Sequence, residues 1–250
     1  MNQITILNET DFRRGTISDM DIIKTDNDIK IYDLNIIKNE SRYTISTILV
    51  RENSILIAIE NIKCIIFKNH VIFFNILNSP IDNIHKLILN NKNNVKPYEL
   101  KILDCILSYI TSIYSDTINS MIPDIVNLIE NNTEKNIKNI VKKQNYLIKF
   151  KIKVRELKDI LEELIENDED QNTIFKHIKS SNFREIEIIL ETYENYVQNI
   201  LNNIEGVLKE IEINQNLFSI DLAINRNLLA QMTAKISIIS IGISSGTFIS

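Results

Sequence analysis

From Phe183 to Ser250 the chain carries a pattern that leaves few folds open to it. Ile186, Leu190, Tyr193, Val197, Ile200, Ile204, Val207 and Ile211 follow one another at steps of four and three. That spacing holds one apolar seam on one side of a helix for several heptads and calls for neighbours to cover it. No proline interrupts the stretch, and Gly206 costs about 1 kcal/mol of helix propensity without breaking it. The spacing predicts a single helix, on the order of 100 Å long at 1.5 Å per residue, too long to be enclosed by a compact domain.

The end of this helix changes character. From Ile236 the residues are Ile, Ser, Gly, Thr and Phe with no charge on any side, and the small ones recur as they do where membrane helices pack closely. A bilayer crossing needs about 20 such residues, more than this run supplies. We therefore read 183–235 as a stalk and 236–250 as the start of a transmembrane helix cut short. The competing reading is a buried hydrophobic helix at the end of a soluble domain.

Upstream, residues 1–44 are polar and weakly periodic, with a strand expected at Asp28–Ile31. Short apolar runs at Ile45–Val50, Ser54–Ile59 and His70–Phe74 predict an antiparallel sheet, with Glu52-Asn53 as a turn signal. Ile62–Phe67 fits a fourth strand or a short helix, because periodicity does not arbitrate so short a run. Ser79-Pro80 opens a helix with Ile81, Ile84, Leu87 and Ile88 on one face. Pro97 opens another, whose buried stripe includes Leu100, Leu103, Ile106, Leu107, Ile110 and Tyr114, and Pro123 is expected to kink or end it. A third helix runs from Asn136 to Glu166. With an acidic turn and the returning stalk helix it predicts an antiparallel bundle of at least three helices. The fold class is α+β: 1–95 a small α/β subdomain, 96–182 a helical bundle with the acidic turn, then the stalk.

The chain has 250 residues and a formal net charge of −5. A nucleic-acid binder should carry a basic face, so that class is set aside. Cys64 and Cys105 lie in apolar surroundings and are expected as buried free thiols. The amino terminus shows no apolar h-region and no arginine-rich, acid-poor stretch, so neither a secretory signal nor a transit peptide is expected in it. His70, His85 and His177 have no partner at a metal-ligand or nucleophile spacing, and no phosphate-binding glycine loop or nucleophile elbow occurs. An enzyme is not expected.

Charge is sorted along the third helix. Lysines crowd its first part, and Glu162, Glu163, Glu166, Asp168, Glu169 and Asp170 follow. Carboxylates at a helix C-terminus add to the negative end of the macrodipole, a placement that favours a cation nearby. On the stalk, Glu187 and Glu191 stand one turn apart with Glu194 close by, and like charges at that spacing repel by a few tenths of a kcal/mol. Further along, Arg226, Ala230, Ser237 and Ser244 share one narrow face of small or polar residues, with Asn227 and Met232 on its flank, a face that could line a symmetric conduit.

Ile224 to Ser250, through Arg226-Asn227, resembles the end of the stalk and the first pore helix of CorA-type magnesium channels, with the mitochondrial RNA-splicing (Mrs-type) branch the nearer match. Glu185-Ile186-Glu187-Ile188-Ile189-Leu190-Glu191-Thr192-Tyr193 resembles that branch's Glu-Leu-x-x-Leu-Leu-Glu-x-Tyr segment, and Asn167–Asp170 stands where the family has an acidic loop. The likeness extends back to about residue 33. It implies a homopentamer in a membrane, most readily the mitochondrial inner membrane, with the first membrane helix around the axis. Mg²⁺ would be both transported and regulatory, bound by Glu162, Glu166, Asp168, Glu169, Asp170, Glu187 and Glu191. Arg226, Asn227, Ala230, Ser237 and Ser244 would line the pore. The family's Gly-Met-Asn signature and second membrane helix are not in this sequence. Its usual Leu-Asp-x-x-Arg-Asn also departs here, because Leu222 is followed by Ala223. The alternative function is a membrane-anchored coiled-coil tether without transport activity.

Overall fold

The computed structural model describes the chain apart from residues 1, 9–11, 27, 39–45, 75–79, 91–96, 131–133, 168–182 and 248–250, and its side chains apart also from 2, 134–135, 183–184 and 241–247. Its backbone forms six strands and six helices among the described residues: β1 (Asn2–Asn8), β2 (Phe12–Ile17), α1 (Asp19–Thr25), α2 (Ile31–Lys38), β3 (Thr47–Val50), β4 (Ser54–Ile59), β5 (Ile62–Phe67), β6 (His70–Phe74), α3 (Ile81–Asn90), α4 (Tyr98–Glu130), α5 (Glu134–Glu166) and α6 (Phe183–Thr247). The chain is α+β, as expected.

The sheet is antiparallel in the order β2-β1-β6-β5-β4-β3, so the first strand lies against the last and leaves β2 and β3 as edges. Every residue of β4 and β5 is buried, Lys63 included, which is why these strands read as nearly continuous apolar runs and not as alternating ones. On one face Leu56, Ala58, Ile65, Phe67, Ile72 and Phe74 pack with Ile22 of α1 and with Leu34 and Ile37 of α2. Ile55, Ile57, Cys64, Ile66, Val71 and Phe73 fill the other face and are buried as well. Both cysteines are buried free thiols, and burial pushes the Cys64 thiol far up.

Three expectations are corrected. No strand forms at Asp28–Ile31. The Asp26 carboxylate accepts the Asp28 N–H (3.1 Å) in a side-chain turn, and Asp33 accepts the Lys30 N–H (3.0 Å) as one half of a capping box, so Ile31 begins a helix instead. The supposedly irregular first residues hold two strands. None of β1, β2, α1 and α2 was expected; β2 is almost wholly exposed and without alternation, held by its pairing with β1. Of the two outcomes expected at Pro123, an end is overturned: the helix continues to Glu130 with Ile118, Met121 and Ile125 buried around the proline. One backbone hydrogen bond is lost at the proline, and side-chain packing on both sides holds the segment helical. Ile62–Phe67, left open between strand and helix, is β5.

Two compact units are present, one made of Met1–Met121 with Ile148–Asn203, the other of Ile122–Leu147 with Ile204–Ser250. In the first, α4, α5 and α6 touch pairwise. Tyr114 meets Phe150 edge-on at 5.4 Å, the Tyr193 hydroxyl donates to Asp104 Oδ1 at 2.6 Å, and Lys158 of α5 approaches Glu194 of α6 at 3.4 Å. The Tyr98 hydroxyl donates to the Leu7 carbonyl (2.7 Å) and ties the start of α4 to the sheet. In the second, Lys143 pairs with Asp124 at 2.9 Å and Gln215 donates to Gln144 at 3.1 Å.

Phe183–Thr247 is one uninterrupted helix of 65 residues. All eight seam residues from Ile186 to Ile211 are buried. No helix among the described residues is long and apolar enough to cross a membrane.

Candidate functional site

The acidic end of α5 is organised by a lysine that the sequence reading left aside. Lys158 Nζ donates to Glu162 one turn on and lies 3.4 Å from Glu194 Oε1 on α6. The Glu162 hydrogen bond holds the Lys158 ammonium above its ordinary pKa; desolvation opposes this, and Glu194 adds to it. The cation that this helix end calls for is therefore supplied, at Glu162, by the protein itself. A Lys/Glu spacing of four was visible in the sequence, but the cross-helix contact to Glu194 was not, because it depends on how the helices pack.

Glu166 is the exposed last residue of α5, while Asp168, Glu169 and Asp170 lie outside the described residues. Glu187 is half-buried and Glu191 exposed, each beside a buried seam residue, Ile186 and Leu190. The two carboxylates thus flank the rim of the buried stripe, one turn apart. Among the described residues, no three histidine, cysteine, aspartate or glutamate side chains come together where they could hold a metal ion.

Beyond Ile211 the helix changes. From Leu222 to Ser240 every residue is exposed, including Ile224, Leu228, Leu229, Met232, Ile236, Ile238 and Ile239. Arg226, Asn227, Ala230 and Ser237 belong to this stretch; Ser244 lies in the helix, but its side chain is outside the described residues. The hydroxyls of Thr233 and Ser237 donate to the carbonyls four residues back, at 2.8 and 2.9 Å. Their hydrogens are thereby taken by the helix, and their oxygens keep acceptor capacity.

One feature of the first unit was not read from the sequence at all. Glu156, Asp159 and Glu163 of α5 form one wall of a groove of about 380 Å³, and Ser46–Arg51, at and around the edge strand β3, form the other.

A family model described as "Magnesium transporter MRS2-like" matches residues 8–226. The mitochondrial inner membrane magnesium transporter LPE10 of Yarrowia lipolytica is 27% identical over 229 residues, covering 82% of this chain and 50% of its own. The mitochondrial magnesium transporter MRS2 of Saccharomyces cerevisiae is 28% identical over 225 residues, covering 84% and 48%. The chain thus spans about half the length of these curated relatives. Among solved structures, the ZntB cytoplasmic domain of Vibrio parahaemolyticus superposes with a TM-score of 0.59 at 15% identity, covering 89% of this chain and 98% of that one. The complete CorA magnesium transporter of Methanocaldococcus jannaschii superposes at 0.56 and 15%, covering 94% and 83%. These two share the fold.

Proposed function

Since the chain belongs to the MRS2-like magnesium transporter family, we propose that it is the regulatory domain, stalk and partial pore helix of a Mg²⁺ channel subunit, working as a homopentamer in the mitochondrial inner membrane. The observation that carries this reading is the change along α6, from a helix with one buried seam to a helix exposed on every side and rich in isoleucine and leucine. A contiguous apolar surface of that kind needs cover, from copies of the same helix on its inner face and lipid on its outer face. Residues 1–95 and 96–182 are then the α/β subdomain and bundle, 183–235 the stalk, and 236–250 the entry into the bilayer.

Transport follows from ring multiplication. Each carboxylate near the stalk recurs in every copy, and the summed field raises the local concentration of divalent cations. Arg226 would form a positive ring at the mouth, and Ala223 stands where the family commonly has an aspartate to offset it. Glu187 and Glu191 gather regulatory Mg²⁺ between neighbouring copies, so that an occupied site stabilises the closed assembly and lowers flux when Mg²⁺ is plentiful. Glu162, Glu166, Asp168, Glu169 and Asp170 serve as a looser collecting surface.

The test is Mg²⁺ uptake by the full-length gene in mitochondria stripped of their own transporter. Restored uptake is expected, with Arg226→Ala changing its rate. If full-length protein reaches the membrane and assembles but admits no Mg²⁺, the channel reading fails and the tether remains.

A further inference from the structure

We propose that the groove between β3 and α5 is a docking site for an extended basic peptide, which adds itself to the sheet as a seventh strand. This goes beyond ion transport and rests on the first unit alone.

Arg51 N–H donates to the Ser54 carbonyl at 2.9 Å, closing the β3–β4 hairpin with a hydrogen-bonded pair. In an antiparallel ladder such pairs alternate with non-bonded ones. With Val50 opposite Ile55, Leu49 opposite Leu56, Ile48 opposite Ile57 and Thr47 opposite Ala58, the bonded positions are Leu49 and Thr47. Ile48 and Val50 therefore turn their backbone N–H and C=O groups to the outer side, where no further strand lies among the described residues. The Val50 carbonyl already accepts there from Arg51 Nη1 at 3.3 Å. The Ile48 N–H and C=O and the Val50 N–H remain, and no hydrogen bond from any of the three to another described group is present. An uncovered strand edge is a template for an extended chain.

The opposite wall decides what kind of chain. Glu156, Asp159 and Glu163 lie on one stripe of α5 and line the groove, and none is ion-paired among the described residues. Among the described residues that line the groove the one cation is Arg51, and it is already engaged by the buried Asp33. The three carboxylates span about 10 Å along the helix. Alternate side chains of a strand stand about 6.8 Å apart, so three basic residues at every second position span about 14 Å, and the few ångströms by which they overrun the acidic stripe lie within the reach of long, flexible lysine or arginine side chains. Charge complementarity thus selects a strand with lysine or arginine at alternate positions, its other side chains continuing the sheet's apolar face.

The probe is a capped, fluorescently labelled heptapeptide alternating lysine and valine, titrated by anisotropy against the 250-residue chain in detergent. Saturable binding that weakens with NaCl is expected, with none for the glutamate–valine counterpart. E156Q/D159N/E163Q should weaken it at least tenfold. Two further peptides, methylated on every valine or on every lysine backbone nitrogen, keep the charge and remove one set of donors; one of the two should lose binding at least tenfold. This arm uses the unaltered protein and decides the matter even if the triple variant does not fold. Equal binding of both methylated peptides means surface charge alone, and equal binding by the folded triple variant means another site; either overturns the proposal. Displacement by Mg²⁺ beyond that of NaCl at matched ionic strength assigns the groove to divalent cations and overturns it too.

Discussion

Arg51 and Asp33 show what a single buried charge does to this domain. The Asp33 carboxylate is wholly buried and takes two hydrogen bonds from the Arg51 guanidinium, at 2.7 and 3.2 Å, and one from the Lys30 N–H. Burial alone would raise its pKa, but the Arg51 and Lys30 hydrogen bonds outweigh it and hold the carboxyl below its usual value. An acid with a lowered folded pKa contributes stability that is present above the unfolded pKa and lost as pH falls through the folded one. Arg51→Met should therefore destabilise by about 3–5 kcal/mol at neutral pH, because the charge left behind has no route to water. In denaturant titrations that deficit should shrink toward acid pH, where Asp33 is protonated in either protein. Glu99 is the opposite case. It is 4% exposed, and its Oε1 has no hydrogen-bond partner among the described residues. Desolvation raises its pKa against the weaker opposing pull of its own backbone N–H and of Lys68. Here the penalty appears as pH rises above the unfolded pKa, so Glu99→Gln should be more stable than wild type at pH near 8 and lose that advantage below about pH 4. Equal thermal midpoints across that range would refute the assignment.

At the scale of elements, α6 and β4 were legible because each is decided by a local pattern: a seam at steps of three and four, and an unbroken apolar run bounded by turn residues. Ser54–Ile59 and His70–Phe74 match their expected bounds residue for residue. β2 was not legible, since an exposed strand such as Phe12–Ile17 owes its form to β1 and not to its own periodicity. The same holds for Glu60. It has φ of 50°, a left-handed conformation that favours glycine, in the two-residue turn joining β4 to β5, where nothing in the sequence announces strain. It stays there with its carboxylate taken up by two helices: Lys153 of α5 at 2.9 Å and the Tyr114 hydroxyl of α4 at 3.4 Å. Glu60→Gly sets the two effects against each other, relieving the backbone while removing both contacts. Because the Lys153 pair is half exposed and worth at most about 1 kcal/mol, the relief should nearly cancel its loss and leave overall stability within about 1 kcal/mol of wild type. Amide exchange in the adjoining part of α5 should nevertheless quicken. Of the proposed metal ligands, type and spacing were legible but not their company: Lys158 pairs with Glu162 one turn along the same helix, and only helix packing brings Glu194 to the same ammonium.

For the whole molecule, the proposed assembly puts its strongest demand on Glu187 and Glu191, which join no metal-holding cluster among the described residues of one copy. Copies of α6 side by side would place Glu187 and Glu191 near their counterparts, with Ile186 and Leu190 already committed to the interior of each copy. Repulsion between such rims is screened within about 8 Å at physiological ionic strength, so it acts only where stalks actually approach. Mg²⁺ bridging two rims converts that repulsion to attraction, whereas NaCl merely weakens it. The two should therefore differ when matched for ionic strength. In detergent, the wild-type chain should sediment as a larger species and resist protease along α6 in millimolar Mg²⁺, and should loosen in chelator with NaCl. Glu187→Gln/Glu191→Gln removes the repulsion together with the ligands, so its assembly should be indifferent to the exchange and no weaker than that of wild type in chelator. Should the double variant respond to Mg²⁺ as wild type does, the ion acts elsewhere, and the regulatory role assigned to these two residues is wrong even if transport itself is confirmed.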